Sequence, residues 1–124
     1  MTGVDLPDAA PSGAAVKSGG GARFDHTLAA IAADAAELDR APRFPRAAFF
    51  HLADAGVLAA TIGAARDGAS VRPEWGLLRR VAGADAAVGR ILDGHLNAVE
   101  RLEVAADPEV RERELVAVAA GERL

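Results

Sequence analysis

The chain contains no cysteine. Disulfides, thiolate metal ligands and cysteine nucleophiles are therefore excluded. It also has no tyrosine, and aromatic residues make up only 4% of its 124 residues, although 51% are hydrophobic. The apolar content is mostly alanine, with some leucine and valine. Alanine is the best helix former, whereas strands draw on β-branched and aromatic side chains. Composition alone thus points to an all-α chain. Alanine buries little area, and at about 25 cal/mol per Å² of apolar surface such a core is thin and the domain marginal by itself. Long apolar runs are missing too. Asp, Arg or Gly interrupts each one well before the roughly 20 residues that a membrane span needs. Nor is there a basic stripe: 14 Lys and Arg against 18 Asp and Glu give a net charge of −4. The charges are interspersed, which argues against nucleic-acid binding. Lys17 is the only lysine, and the excess of Arg, Ala and Gly reflects codon usage rather than function.

Residues 1–22 hold Pro, Gly, Ser and Ala with almost no large apolar side chain. They bury too little to offset ordering entropy and read as a disordered tail. The first charge is Asp5 and no compact apolar stretch follows, unlike a signal peptide, which points to the cytoplasm. From residue 23 to 124 the chain reads as one helical domain. Leu28, Ile31, Ala35 and Leu38 recur at three and four, with Asp25 as N-cap. Pro42 and Pro45 end this first helix, and Pro45 suits the first turn of a second. The second helix turns Phe49, Leu52 and Ala53 inward and stops near Gly56. Residues 57–69 lack periodicity and read as a loop carrying at most a helical turn. Ser70 caps a third helix with Pro73 in its first turn and Trp75, Leu78, Val81 and Ala82 inward. Asp85 caps a fourth, whose stripe Val88, Ile91, Leu92, His95, Leu96, Val99 and Leu102 is the cleanest in the sequence. Asp107-Pro108 starts a fifth helix, with Val110, Leu115, Val118 and Ala119 inward and Gly121 at its end. No segment alternates as a strand would.

Chemical motifs are sparse. Neither standard glycine-rich phosphate loop is present, and Ser18-Gly19-Gly20-Gly21 lacks a preceding strand. His26, His51 and His95 show no metal-ligand spacing such as His-Glu-x-x-His, so no metal site is expected. Glu100, Arg101 and Glu103 read as exposed helix charges, and Arg79-Arg80 as a solvated face. His95 stands apart, because it falls inside the apolar stripe. A histidine there is either hydrogen-bonded in the core or faces a cavity.

The order of segments carries more information than any single residue. Ala36-Glu37-Leu38-Asp39-Arg40, then Phe44-Pro45, then Leu52-Ala53-Asp54-Ala55-Gly56-Val57-Leu58 resembles the opening of the acyl-CoA dehydrogenase superfamily. The match continues through Leu77-Leu78-Arg79-Arg80-Val81-Ala82-Gly83-Ala84-Asp85, Gly89 and Gly94-His95-Leu96. Val118-Ala119-Ala120-Gly121-Glu122-Arg123-Leu124 is similar to the segment leading into that family's middle β domain. The loop Thr61-Ile62-Gly63-Ala64-Ala65-Arg66-Asp67-Gly68 departs from the family, lacking its Pro and Gly-Gly. The spacing Ala84-Asp85, Gly89, His95 is closer to the flavin monooxygenase branch typified by dibenzothiophene monooxygenase.

The resemblance implies a five-helix N-terminal domain of a three-part flavin-dependent oxidoreductase, forming one wall of the flavin and substrate pocket. It implies FAD, or FMN in the monooxygenase branch, bound mainly by middle and C-terminal domains absent from this sequence. It also implies an acyl-CoA thioester as substrate, a homotetrameric full-length enzyme, and a 124-residue portion inactive alone. His95 is then the candidate pocket-lining residue, with no catalytic residue assigned. A free-standing helical interaction module, without catalysis, is the other reading of the same apolar surface.

Overall fold

The computed structural model describes residues 19–63 and 72–124. Five helices are present among the described residues: α1 (Gly19–Arg40), α2 (Arg46–Asp54), α3 (Arg72–Ala84), α4 (Ala86–Ala105) and α5 (Pro108–Ala119). No strand occurs among them. The all-α expectation therefore holds. Residues 1–18 of the expected 1–22 tail, and the Ser70 cap, lie outside the described residues.

Helix boundaries follow local chemistry. Asp85 adopts an extended backbone and accepts hydrogen bonds from Ala87 N at 2.8 Å and Val88 N at 3.3 Å, capping α4 as its sequence position suggests. α2 closes in a Schellman motif. Gly56 takes φ +80°, its N–H reaches Ala53 O, and Val57 N–H reaches Leu52 O. Leu52 and Val57 are both fully buried, supplying the apolar contact that accompanies this motif. α5 ends the same way: Gly121 has φ +106°, its N–H reaches Val118 O, and Glu122 N–H reaches Ala117 O. Pro45 sits one position earlier than expected, as the N-cap of α2. At the C-terminus of α4, Arg111 donates to Leu102 O at 3.4 Å and to Ala106 O at 2.9 Å. A cation there satisfies helix-end carbonyls and complements the helix dipole.

Two expectations need correction. α1 begins at Gly19, so residues 19–22 are helical and Asp25 is inside the helix rather than its cap. Asp25 instead pairs with Arg80 of α3 at 2.6 Å, and the Arg80 guanidinium lies 4.8 Å above the Phe24 ring. The helix extends backwards because Phe24, 1% exposed, is itself a core residue and needs a preceding turn to hold it. Trp75 is 58% exposed and Ala82 is exposed, so neither belongs to the buried stripe of α3. Val81, with Leu77 and Leu78, makes that contact instead. The face is rotated because α3 packs against both α1 and α4.

One core joins the first four helices: Phe24 and Ile31 from α1, Phe49 and Leu52 from α2, Val81 from α3, and Val88, Leu92 and Leu96 from α4. Val57 and Leu58, just beyond α2, complete it. α5 packs on α4 and has only Val118 fully buried. α4 is thus the central element, which matches its clean amphipathic pattern.

Candidate functional site

Among the described residues, two of the three buried polar side chains, His95 and Glu103, lie on α4; the third, Thr27, is on α1. His95 lies in the second half of the stripe between Leu92 and Val99 and is 1% exposed. Its Nε2 is 2.8 Å from Leu58 O, and its Nδ1 accepts a hydrogen bond from Leu124 N–H at 3.1 Å. A carbonyl oxygen can only accept, so Nε2 carries the proton and Nδ1 offers its lone pair. These two partners assign the neutral Nε2–H tautomer. Burial holds the His95 pKa below its ordinary 6.5; the Leu58 carbonyl opposes that shift and the Arg123 charge adds to it.

Two turns further along α4, Glu103 is 4% exposed. Its Oε2 accepts the Gly63 N–H. Its Oε1 and the buried Thr61 Oγ1 have no hydrogen-bond partner. Sequence pattern placed Glu103 among exposed charges, and the structure overturns that. Residues 57–63, which follow α2 as a series of turns, lie along α4 and cover the position. Local composition does not reveal a segment that returns over a helix from forty residues upstream. The glutamates at 100 and 103 look alike in sequence, yet Glu100 is exposed. The one signal in the sequence is the i, i+4, i+8 relation of His95, Val99 and Glu103.

His95 and Glu103 together clamp the stretch from Leu58 to Gly63, one through a carbonyl and the other through an amide. Buried backbone groups outside regular structure need such partners, because an unpaired one costs about 1–3 kcal/mol. Gly63 also has φ +93°, a conformation that suits glycine and that proline cannot adopt.

The other histidines are not brought to this site. His26 is exposed on α1. His51 is half-buried on α2, with its ring edge toward Phe50 at 5.8 Å, and its carbonyl accepts from Thr27 Oγ1 at 3.5 Å. No group of three or more metal-ligating side chains occurs among the described residues. Across α3 and α4, Glu74 has its pKa raised, first by burial and then by repulsion from Glu100 and Asp93. The hollow of about 440 Å³ between α4 and α5, lined by Leu102, Ala105 and Val110, does not include His95. Nor does the one of about 300 Å³ lined by Ile31, Leu38 and Phe44.

Chemically, the α4 clamp holds the Leu58–Gly63 segment and Leu124 against the helix. Both His95 nitrogens are engaged by backbone groups, and among the described residues no hydroxyl is hydrogen-bonded to them. No described helix is long and apolar enough to cross a membrane. Comparison with protein-family models, curated proteins and solved structures finds no match to this chain.

Proposed function

We propose that this chain forms the N-terminal helical part of an acyl-CoA dehydrogenase-like flavin-dependent oxidoreductase, as one wall of its flavin and substrate pocket. One observation carries the reading. The helix boundaries fall, in order, on the residues that carry the resemblance. Glu37–Arg40 closes α1, Pro45 caps α2, and Gly56 forms its Schellman turn. Asp85 caps α4, Gly89 and His95 lie on its buried face, and Gly121 terminates α5.

The described residues do not make a flavin cradle by themselves. The sequence has no phosphate-binding glycine loop of standard spacing, and His95 has no free ring nitrogen. FAD, or FMN in the monooxygenase variant, would be held mainly by other parts of the enzyme. Bound flavin would supply hydride acceptance from an acyl-CoA thioester, the small-molecule substrate of the leading reading. Within that reading His95 shapes the wall and holds its segments. Homotetramer assembly and a cytoplasmic location belong to the same proposal.

The exposed apolar side chains Phe50, Val104 and Val116 favour a second reading, a helical module that docks a protein partner without catalysis. Purification of the natural protein from its host separates the readings. The flavoenzyme reading expects a yellow protein in a longer polypeptide, bleached anaerobically by acyl-CoA thioesters. Flavin that is instead consumed with oxygen after external reduction selects the monooxygenase variant. A flavin-free native protein overturns the proposal.

A further inference from the structure

His95 joins three separate stretches of chain through one ring: α4, which carries it, Leu58, which accepts from Nε2, and Leu124, which donates to Nδ1. The two contacts respond differently to a proton. Protonation fills Nδ1 with an N–H that would face the Leu124 N–H, donor against donor, while Nε2–H to Leu58 O is unaffected. Residues 122–124 have two further anchors. The Arg123 guanidinium lies 4.6 Å above the Phe44 ring and 6.0 Å from that of Phe49. Glu122 is held separately by the Schellman bond to Ala117 O.

We propose that His95 is a proton-operated latch. Neutral, it ties Arg123 and Leu124 to the core; protonated, it lets them go, withdraws the Arg123 cap from Phe44 and keeps residues 57–63 in place. The charges around the ring are few. Residues 57–63 carry none. Glu103 on α4 has one oxygen turned onto the Gly63 N–H. Residues 122–124 bring Arg123, whose positive charge opposes protonation of the ring for as long as it is held there. When Arg123 leaves, its repulsion of the imidazolium falls, so release and protonation reinforce each other. The latch belongs to this chain's own helices and is independent of the flavoenzyme reading.

The test is an NMR titration of the ¹⁵N-labelled chain from neutral to acid pH. The His95 ring nitrogens should report the Nε2–H tautomer at neutral pH. The Leu124 amide and the Phe44 ring signals should move with the His95 midpoint. Leu124 amide exchange, corrected for its intrinsic pH dependence, should quicken roughly fivefold, as for one lost hydrogen bond. The Gly63 and Glu122 amides should not follow that midpoint. In His95→Gln the Leu124 inflection should vanish. An Nδ1–H tautomer at neutral pH, a Leu124 amide indifferent to the His95 titration, or loss of all amides together at that midpoint would each overturn the latch. The tautomer and co-titration are read on the unsubstituted chain, so they decide the matter even if His95→Gln does not fold.

Discussion

Alanine substituted for glycine at two positions of α4 should have opposite effects. Gly89 lies in the first turns of the helix and is buried. A Cβ there would stand 2.7 Å from Ala82 Cβ and 2.8 Å from Ala82 Cα, with Ala82 N at 3.1 Å. Ordinary contact begins at 3.4 Å, so α3 would have to move by roughly half an ångström or more against backbone, not against a flexible side chain. Overpacking of this kind costs about 1–3 kcal/mol. Alanine returns about 1 kcal/mol of helix propensity. With backbone as the obstacle, Gly89→Ala should lose about 1–2 kcal/mol net. Gly94, one and a half turns on, is exposed, and an added methyl there would meet nothing within 4 Å. Gly94→Ala should therefore gain about 0.5–1 kcal/mol from propensity alone. The assay is thermal unfolding followed by helical circular dichroism, where 1 kcal/mol moves Tm by about 4–8 °C in a domain of 60–100 residues. The two variants should straddle the parent. If Gly89→Ala melts at or above the parent temperature, backbone contact between α3 and α4 is not what excludes a side chain at this position.

Three further outcomes follow from the same structure. Asp85→Ala removes the two bonds that cap α4 and should cost about 1 kcal/mol in urea unfolding, with Asp85→Ser or Asn recovering most of it. Glu103→Ala leaves the Gly63 amide buried and unpaired; a loss of about 1–3 kcal/mol is expected, with faster hydrogen exchange at Gly63 as the local readout. An exposed glutamate, such as Glu100, should give no such change. The His95 pKa is lowered in the folded state, so unfolding takes up a proton over the interval between that lowered value and the ordinary 6.5. Its contribution to stability is therefore complete above pH 6.5 and is lost as pH falls through the lowered value. Stability profiles of the parent and His95→Gln should converge at acid pH; profiles that stay parallel would contradict this.

What was readable in advance was the local part. Each cap needs only neighbours in sequence: Asp85 reaches amides two and three residues on, and Gly56 and Gly121 supply the left-handed conformation that side chains resist. The α4 stripe was legible for the same reason, because a helix in the middle of the core shows its burial along its own length. Val88, Leu92, His95, Leu96 and Val99 are all buried. The errors occur where burial is conferred from elsewhere. Glu103 and Glu100 differ only in whether residues 57–63 pass over them, and Trp75 is left outside because α3 turns Val81 toward α1 and α4.

The scarcity of aromatics, the abundance of alanine and the spacing of leucines and valines determined that this chain would be helical, and Gly56, Asp85 and Gly121 determined where three of its helix ends fall. Those are short-range decisions, made by backbone hydrogen bonding and side-chain period. Sequence left two roles open for His95. Tertiary structure supplied both its partners, Leu58 from 37 residues upstream and Leu124 from 29 downstream. It put Glu103 in the interior in the same way. A polar group can be buried only when distant chain brings its hydrogen-bond partner, and no local pattern records that arrival.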